Sequence, residues 1–147
     1  MKQISNDLFF AWVESEIAEG RNVRFRLKGN SMYPLLRSGK DEVILYPCTD
    51  DELKPMDVVL FRYRGVHVLH RIIYRKGNEL LIQGDGSFVA KEQCVVSDVV
   101  GVVREIVRPS GKCVPVDSWQ WKLPSRLWQS LGVFRGLCLR ILHRIFL

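Results

Sequence analysis

Residues 29–34 read Gly-Asn-Ser-Met-Tyr-Pro and join two different kinds of sequence. The preceding residues 23–27, Val-Arg-Phe-Arg-Leu, alternate apolar and basic side chains, which is typical of a half-buried strand. A small residue, a serine, a methionine and a proline in this order predict an exposed hydroxyl on a tight bend. A serine hydroxyl is a poor nucleophile alone and needs a base. The apolar stretch 66–73, which contains His67 and His70, holds the candidate base.

Three later segments complete the pattern. They are Asp-Val-Val-Leu-Phe at 57–61, Leu-His-Arg-Ile at 69–72 and Gln-Gly-Asp-Gly at 83–86. In this order the chain resembles the serine peptidases that include type I signal peptidases and the self-cleaving repressors of the SOS response and of phages. The resemblance covers roughly residues 25–107, most of the chain.

The resemblance implies a serine endopeptidase. Ser31 would attack a peptide carbonyl, and His70 would take its proton and return it to the leaving amine. Housekeeping bacterial signal peptidases and the repressors place lysine at the position of His70. Signal peptidases of the endoplasmic reticulum, and of some archaea and Gram-positive bacteria, place histidine there, so the chain is similar to the Ser/His subtype. The Gly-Asp box makes Asp85 the candidate orienter of the imidazole.

The remaining site residues also follow from the resemblance. The backbone amides of Asn30 and Ser31 would supply the oxyanion hole, because Gly29 stands where many signal peptidases have a hydroxyl residue. Met32 and Pro34 would contact the substrate. The family often has a second aspartate after the Gly-Asp box, and Lys91-Glu92 stand in that region, which argues against a second acid.

Three alternatives stay open for the single residues. Ser31 is a turn residue if its hydroxyl only caps a backbone amide. His67 is a rival base, three positions from His70 and therefore on the opposite face of the strand. Asp85 holds a turn if it bonds only to its own backbone.

The alternation pattern predicts a mainly β fold, with a helix from a Ser5–Asp7 cap to about Glu19. Predicted strands cover 22–28, 42–46, 57–63, 66–74, 79–83, 95–107 and 112–116, with a hairpin turn at 75–78. We expect a coiled β-sheet or barrel of the signal peptidase and repressor type. The corresponding divisions are an N-terminal amphipathic helix at 1–20, a peptidase-like β domain at 21–116, and a C-terminal part at 117–147.

The C-terminal part predicts a Trp-rich linker and one basic amphipathic helix over residues 125–147. One predicted face is apolar and contains Leu127, Leu131, Phe134, Cys138, Ile141, Leu142 and Ile145. Four arginines, at 126, 135, 140 and 144, are expected to meet the phosphates of an anionic membrane. The alternative is that the apolar face covers the barrel or another copy of the chain. A charge at the bilayer centre costs roughly 2.5 kcal/mol or more, which favours lying on the surface over spanning.

Composition and charge limit the kinds of cofactor and partner that we expect. The net charge is +6, and the four cysteines have no Cys-x-x-Cys spacing, so neither a zinc site nor another cofactor is expected. The basic helix lacks a recognition motif, so no nucleic-acid partner is expected. No secretory signal or spanning stretch is apparent, which predicts a cytoplasmic protein, peripheral at the inner face of the membrane if the helix binds lipid.

Two functions therefore remain. The first is an endopeptidase that cleaves a peptide or leader segment laid beside the site as an extra strand. The second is a non-catalytic peptide- or membrane-binding module on the same fold. The oligomeric state does not follow from the sequence.

Overall fold

The computed structural model describes residues 6–87, 90–132 and 134–146. Its helices are α1 (Asn6–Ala18), α2 (Trp119–Ser130) and α3 (Phe134–Phe146). Its strands are β1 (Val23–Arg26), β2 (Glu42–Tyr46), β3 (Val58–Tyr63), β4 (Val66–Lys76), β5 (Glu79–Gln83), β6 (Glu92–Val95), β7 (Val99–Val107) and β8 (Cys113–Pro115). The mainly β prediction, with helices at both ends, is confirmed.

The eight strands form one antiparallel sheet that stays open. Its order is β1-β2-β7-β3-β4-β5-β6, with β8 also paired to β7. Of the two predicted forms, coiled sheet or barrel, the barrel is therefore wrong, because β1 and β6 end the sheet without pairing with each other. Closure would require these two short strands to meet.

Most predicted strands occur within a residue or two of their expected bounds, and β2 and β5 occur at them. The register pairs Lys76 with Glu79, so the predicted hairpin turns at Gly77-Asn78. Gly77 has φ +58°, a conformation that glycine adopts without strain. Two differences stand out: β6 was not predicted, and the long strand expected from residue 95 begins at residue 99, after a one-turn 3₁₀ helix.

Helix α1 packs on the sheet through its apolar face. Val13 is fully buried and Ile17 is nearly so, and both join a core cluster with strand residues that include Leu45 and Ile106. The helix predicted at the start of the chain is confirmed. Ser5, part of the predicted cap, lies outside the described residues. Phe9 and Phe10 pack against the same cluster and border a cavity described below.

The C-terminal part is two helices, so the single helix predicted for 125–147 is wrong. α2 already begins at Trp119, inside the predicted linker, and ends at Ser130. Gly132 has φ +55°, which lies outside the right-handed helical region, so the helix is interrupted before α3. Trp121 and Trp128 are buried and attach α2 to the rest of the protein.

Candidate active site

Ser31 lies on the bend that follows β1, with its side chain exposed. The next two residues, Met32 and Tyr33, are buried and anchor the bend. Within the bend the amide of Tyr33 donates to the carbonyl of Asn30 at 3.1 Å. The structure therefore has the exposed hydroxyl on a tight bend that the sequence predicts.

Gly84 is the point at which the bend and His70 meet. A Cβ atom placed on Gly84 would overlap the backbone oxygen of Ser31 and would lie 2.9 Å from His70 Nε2. The amide of Gly86 donates to that same oxygen at 2.8 Å, which ties the bend to the 84–86 turn. The Ser31 backbone and the imidazole Nε2 therefore approach each other across a gap that a side chain at position 84 would fill.

His70 is on β4, and its side chain is largely buried. Its Nδ1 lies 2.9 Å from Glu92 Oε1. This is the distance of an ion pair or a hydrogen bond, but the direction of the contact falls short of hydrogen-bond geometry. Burial lowers the pKa of His70, and the negative charges of Glu92 and then Asp85 oppose that shift. A lowered pKa keeps the imidazole neutral near pH 7, as a general base requires.

Glu92 is a candidate site residue that sequence reasoning missed. It lies on β6 and pairs in register with Ile82 of β5, which brings its side chain back towards β4. Its Oε2 atom is buried without a hydrogen-bond partner among the described residues. The signal was the second acid that the family often has after the Gly-Asp box. It was discounted because a lysine and a glutamate stand in that region.

The carboxylate of Asp85 pairs with Arg71 and not with His70. This carboxylate accepts two bonds from Arg71, from Nε at 2.9 Å and from Nη2 at 2.8 Å, and both side chains are fully buried. Gln129 Nε2 donates to the same carboxylate at 3.0 Å. Neither expectation matches these contacts: no hydrogen bond joins Asp85 to His70, and its carboxylate does not bond to its own turn. Arg71 binds the carboxylate of Asp85 with two hydrogen bonds, because the planar guanidinium presents its donors in a fork that fits a carboxylate.

His67 has different neighbours from His70. Its ring stacks on Phe10, with centroids 4.9 Å apart and planes inclined by 15°. Its Nε2 lies 3.4 Å from Glu14 Oε2 on α1. The second histidine is thus held by the N-terminal helix. Both histidines nevertheless line the same cavity, so the expectation that strand alternation separates them is wrong.

A cavity of about 740 Å³ contains the candidate groups. Ser31, His70 and Glu92 all line it, together with Met32 from the predicted substrate contacts. Pro34 and Asp85 are not among the described residues that line it. Much of the remaining wall is apolar and comes from α1, β1, the bend and the central strands: Phe9, Phe10, Phe25, Leu36, Leu60 and Leu69.

The predicted oxyanion donors are free to act. Among the described residues, none accepts a hydrogen bond from the amide of Asn30 or Ser31, and none exchanges one with Ser31 Oγ. An amide beside the nucleophile is a suitable donor for a developing oxyanion. Hydroxyl–imidazole hydrogen bonds commonly tighten only when substrate is bound.

In the described part of the chain, no three His, Cys, Asp or Glu side chains are grouped so as to hold a metal ion. No helix formed by the described residues combines the length and apolarity needed to cross a bilayer.

The comparisons with known proteins give no family. No protein-family model matches the chain, and no curated protein matches it.

Replacing Glu92 by glutamine is expected to reduce the reactivity of Ser31 and to change its pH dependence. The carboxylate raises the pKa of His70 against the effect of burial, so its loss should move the acidic limb of the activity profile to lower pH. On the plateau above that limb, the rate should fall about tenfold or more, because the imidazole loses its orienting partner; in a Ser-His-Asp triad the corresponding loss is about 10⁴-fold. The measurement is the rate of labelling by a fluorophosphonate between pH 5 and 9.

Glu79→Gln is the matched control, since Glu79 is an exposed acid on the neighbouring strand β5. It should leave both the plateau and the acidic limb unchanged. An unaltered profile for Glu92→Gln would remove Glu92 from the site.

Proposed function

We propose that this chain is a serine endopeptidase in which Ser31 is the nucleophile, His70 the general base and Glu92 the residue that orients His70. The observation that carries the proposal is the approach of the Ser31 backbone and His70 Nε2 at Gly84. The nucleophile bend and the base come from segments about 40 positions apart in the sequence. Their meeting at one cavity wall is what an acyl-transfer site needs.

The chemistry follows from the roles of these atoms. Ser31 Oγ adds to the carbonyl carbon of a peptide bond while His70 Nε2 takes the hydroxyl proton. The carbonyl oxygen becomes an oxyanion, and the free amide of Ser31 donates to it. As the tetrahedral adduct collapses, the imidazolium gives its proton to the departing amine. Water, activated by the same imidazole, then releases the acyl group from Ser31.

The protonation state of His70 suits this sequence of steps. Burial favours the neutral imidazole, whose Nε2 then accepts a proton near pH 7. The nearby Glu92 carboxylate favours the imidazolium that forms during the reaction. Activity should therefore be present above the pKa of His70 and should be lost as the pH falls through it.

The surroundings of Ser31 favour an extended peptide as substrate. β1 leads directly into the bend and pairs only with β2 among the described strands, which leaves its other edge open for strand addition. The aromatic wall formed by Phe9, Phe10 and Phe25 offers space beside Ser31 for a large apolar side chain. The resemblance alone implies small residues before the scissile bond, so we propose that apolar residues are accepted next to them.

A non-catalytic peptide-binding module is the second candidate. The observation that favours it is the absence of a hydrogen bond between Ser31 Oγ and any described residue, His70 included. The same cavity would then hold a peptide without cutting it. The two functions differ in whether Ser31 is chemically activated.

The test is reaction with a fluorophosphonate probe, which labels an activated serine and ignores an ordinary one. We expect one adduct, located on Ser31 by peptide mass spectrometry, and no adduct in Ser31→Ala. Ser97→Ala, which removes another exposed serine, should label normally. Removing an exposed hydroxyl has little effect on stability, so Ser31→Ala should keep its melting temperature. A folded wild-type protein that takes up no label would overturn the peptidase proposal in favour of the binding module.

A further inference from the structure

The outer surface of α2 and α3 carries an apolar face. Eight of the thirteen large apolar side chains that are exposed in the described residues lie between positions 119 and 145. On α2, Trp119, Leu123 and Leu127 recur every four residues, and Leu131 follows at the same interval. This spacing places them in one stripe along the helix. Monomeric proteins rarely expose so concentrated an apolar patch unless it binds something.

The apolar stripe continues on α3, after the break. Phe134, Leu137, Ile141 and Ile145 recur at intervals of three and four residues and are all exposed. The other side of α3 faces the protein, where Leu139 packs with Tyr33 and Trp128. We call these eight exposed residues the outer face; seven lie on α2 and α3, and Leu131 directly follows α2. The inner side of the two helices packs against the rest of the protein. The outer face has no packing partner among the described residues.

Basic side chains border the outer face. The two helices have four exposed lysine and arginine side chains, and each immediately precedes a member of the outer face in the sequence. Lys122, Arg126, Arg140 and Arg144 come before Leu123, Leu127, Ile141 and Ile145. One residue corresponds to 100° around a helix, so each cation lies at the edge of the stripe. Residues 118–147 contain no aspartate or glutamate. The surface is therefore apolar at its centre and only cationic at its border.

We propose that the outer face binds an anionic lipid surface, with its apolar stripe in the headgroup region and its four cations against lipid phosphates. An amphipathic helix of this composition lies in the plane of the interface. With 12 and 13 residues, α2 and α3 are far shorter than the ~20 residues needed to span. A second copy of the chain is a poorer occupant, because it would bring further cations of the same sign to the border.

The fourth arginine of the sequence-based prediction takes a different role. Arg135 was expected to meet lipid phosphates, but it is buried. It donates to Gln83 Oε1 at 2.8 Å and to Gln129 Oε1 at 3.2 Å. Together with Trp128, whose Nε1 donates to the carbonyl of Asp85 at 2.9 Å, it fastens the two helices to the end of β5. The outer face is thus held on the sheet, beside the turn that carries Gly84.

The test is co-sedimentation of the full chain with vesicles of phosphatidylcholine alone or mixed with phosphatidylglycerol. We expect binding that requires the anionic lipid and weakens as salt is raised. Arg140→Glu with Arg144→Glu should lower the partition coefficient by about 30-fold or more, since each cation near an anionic surface contributes about 1 kcal/mol. Phe134→Ser should lower it by about tenfold or more, through the loss of a buried aromatic side chain.

Matched controls separate this surface from general charge and hydrophobicity. Lys76→Glu with Lys112→Glu changes the net charge equally at exposed positions outside the helices, and Tyr74→Ser removes an exposed aromatic residue from β4. These variants should bind no more than severalfold more weakly than the wild-type chain. Ser31→Ala should bind like the wild-type chain, so the result is independent of the proposed peptidase activity.

Three outcomes would overturn the proposal. The protein could stay in the supernatant with anionic vesicles at low salt. It could bind neutral and anionic vesicles equally. It could instead form a dimer in analytical ultracentrifugation that Phe134→Ser dissociates, in which case a second copy covers the outer face.

Discussion

Replacing His70 by alanine is expected to lower the reactivity of Ser31 by about 10²–10⁴-fold, the range that a positioned general base contributes. The imidazole Nε2 is the basic atom that lies near the Ser31 backbone at Gly84. Without it, the Ser31 hydroxyl loses the base that the proposed mechanism assigns to it. The measurement is the second-order rate constant for fluorophosphonate labelling at pH 8, above the lowered pKa of His70.

His67→Ala is the matched control for this prediction. It removes an imidazole from the same strand and the same cavity wall, but one that stacks on Phe10 and lies near Glu14. We expect less than a tenfold change in labelling, with a small loss of stability from the lost ring contact. If His67→Ala caused the large loss of labelling and His70→Ala the small one, His67 and not His70 would be the base.

Replacing Asp85 by alanine is expected to destabilise the fold by about 3–5 kcal/mol, the effect of removing one partner from a buried ion pair. Arg71 would keep its charge in a fully buried position. Among the described residues, its remaining hydrogen bond is to the carbonyl of Met56 and its remaining ring contact is with Trp121. The loss is a large share of the 5–15 kcal/mol that ordinary domains have. Urea unfolding of the wild type and the variant measures it.

A double variant separates this structural role from the catalytic one. Arg71→Met with Asp85→Leu removes both charges, so much of the lost stability should return. Labelling of Ser31 per folded molecule should then stay within about tenfold of the wild-type rate, because Glu92 and not Asp85 lies beside His70 Nδ1. If stability returned while labelling remained at the level of His70→Ala, Asp85 would be the orienter that the resemblance implies.

The same contacts explain how much of the site could be predicted. The sequence placed Ser31 on an exposed bend, and the structure agrees, because Gly29 and Pro34 flank a short segment that cannot continue β1. It also selected His70, and both residues line one cavity. The sequence does not predict which of the two acids, Asp85 or Glu92, lies beside His70. The two acids lie only seven positions apart, and the pairing of β6 with β5 brings the second one back to β4.

The C-terminal part shows a similar limit. A continuous helical wheel over 125–147 places Cys138 and Leu142 on its apolar face and leaves Leu137 out of it. In the structure both are half-buried beside Leu139, whereas Leu137 is exposed. The break at Gly132 changes the phase of the helix that follows it. Sequence periodicity holds only within one unbroken helix.

The sequence by itself determined the local features of this protein: the helix at its start, nearly all strands, the hairpin turn at Gly77 and the bend at Ser31. Each depends on neighbours within a few residues, through alternation and turn chemistry. The tertiary structure alone decided that the sheet stays open, that Arg71 claims Asp85, and that Glu92 lies beside His70. Those outcomes depend on which strands become neighbours and which partner best neutralises a buried charge. Local sequence carries neither kind of information, because the competing groups come from distant parts of the chain.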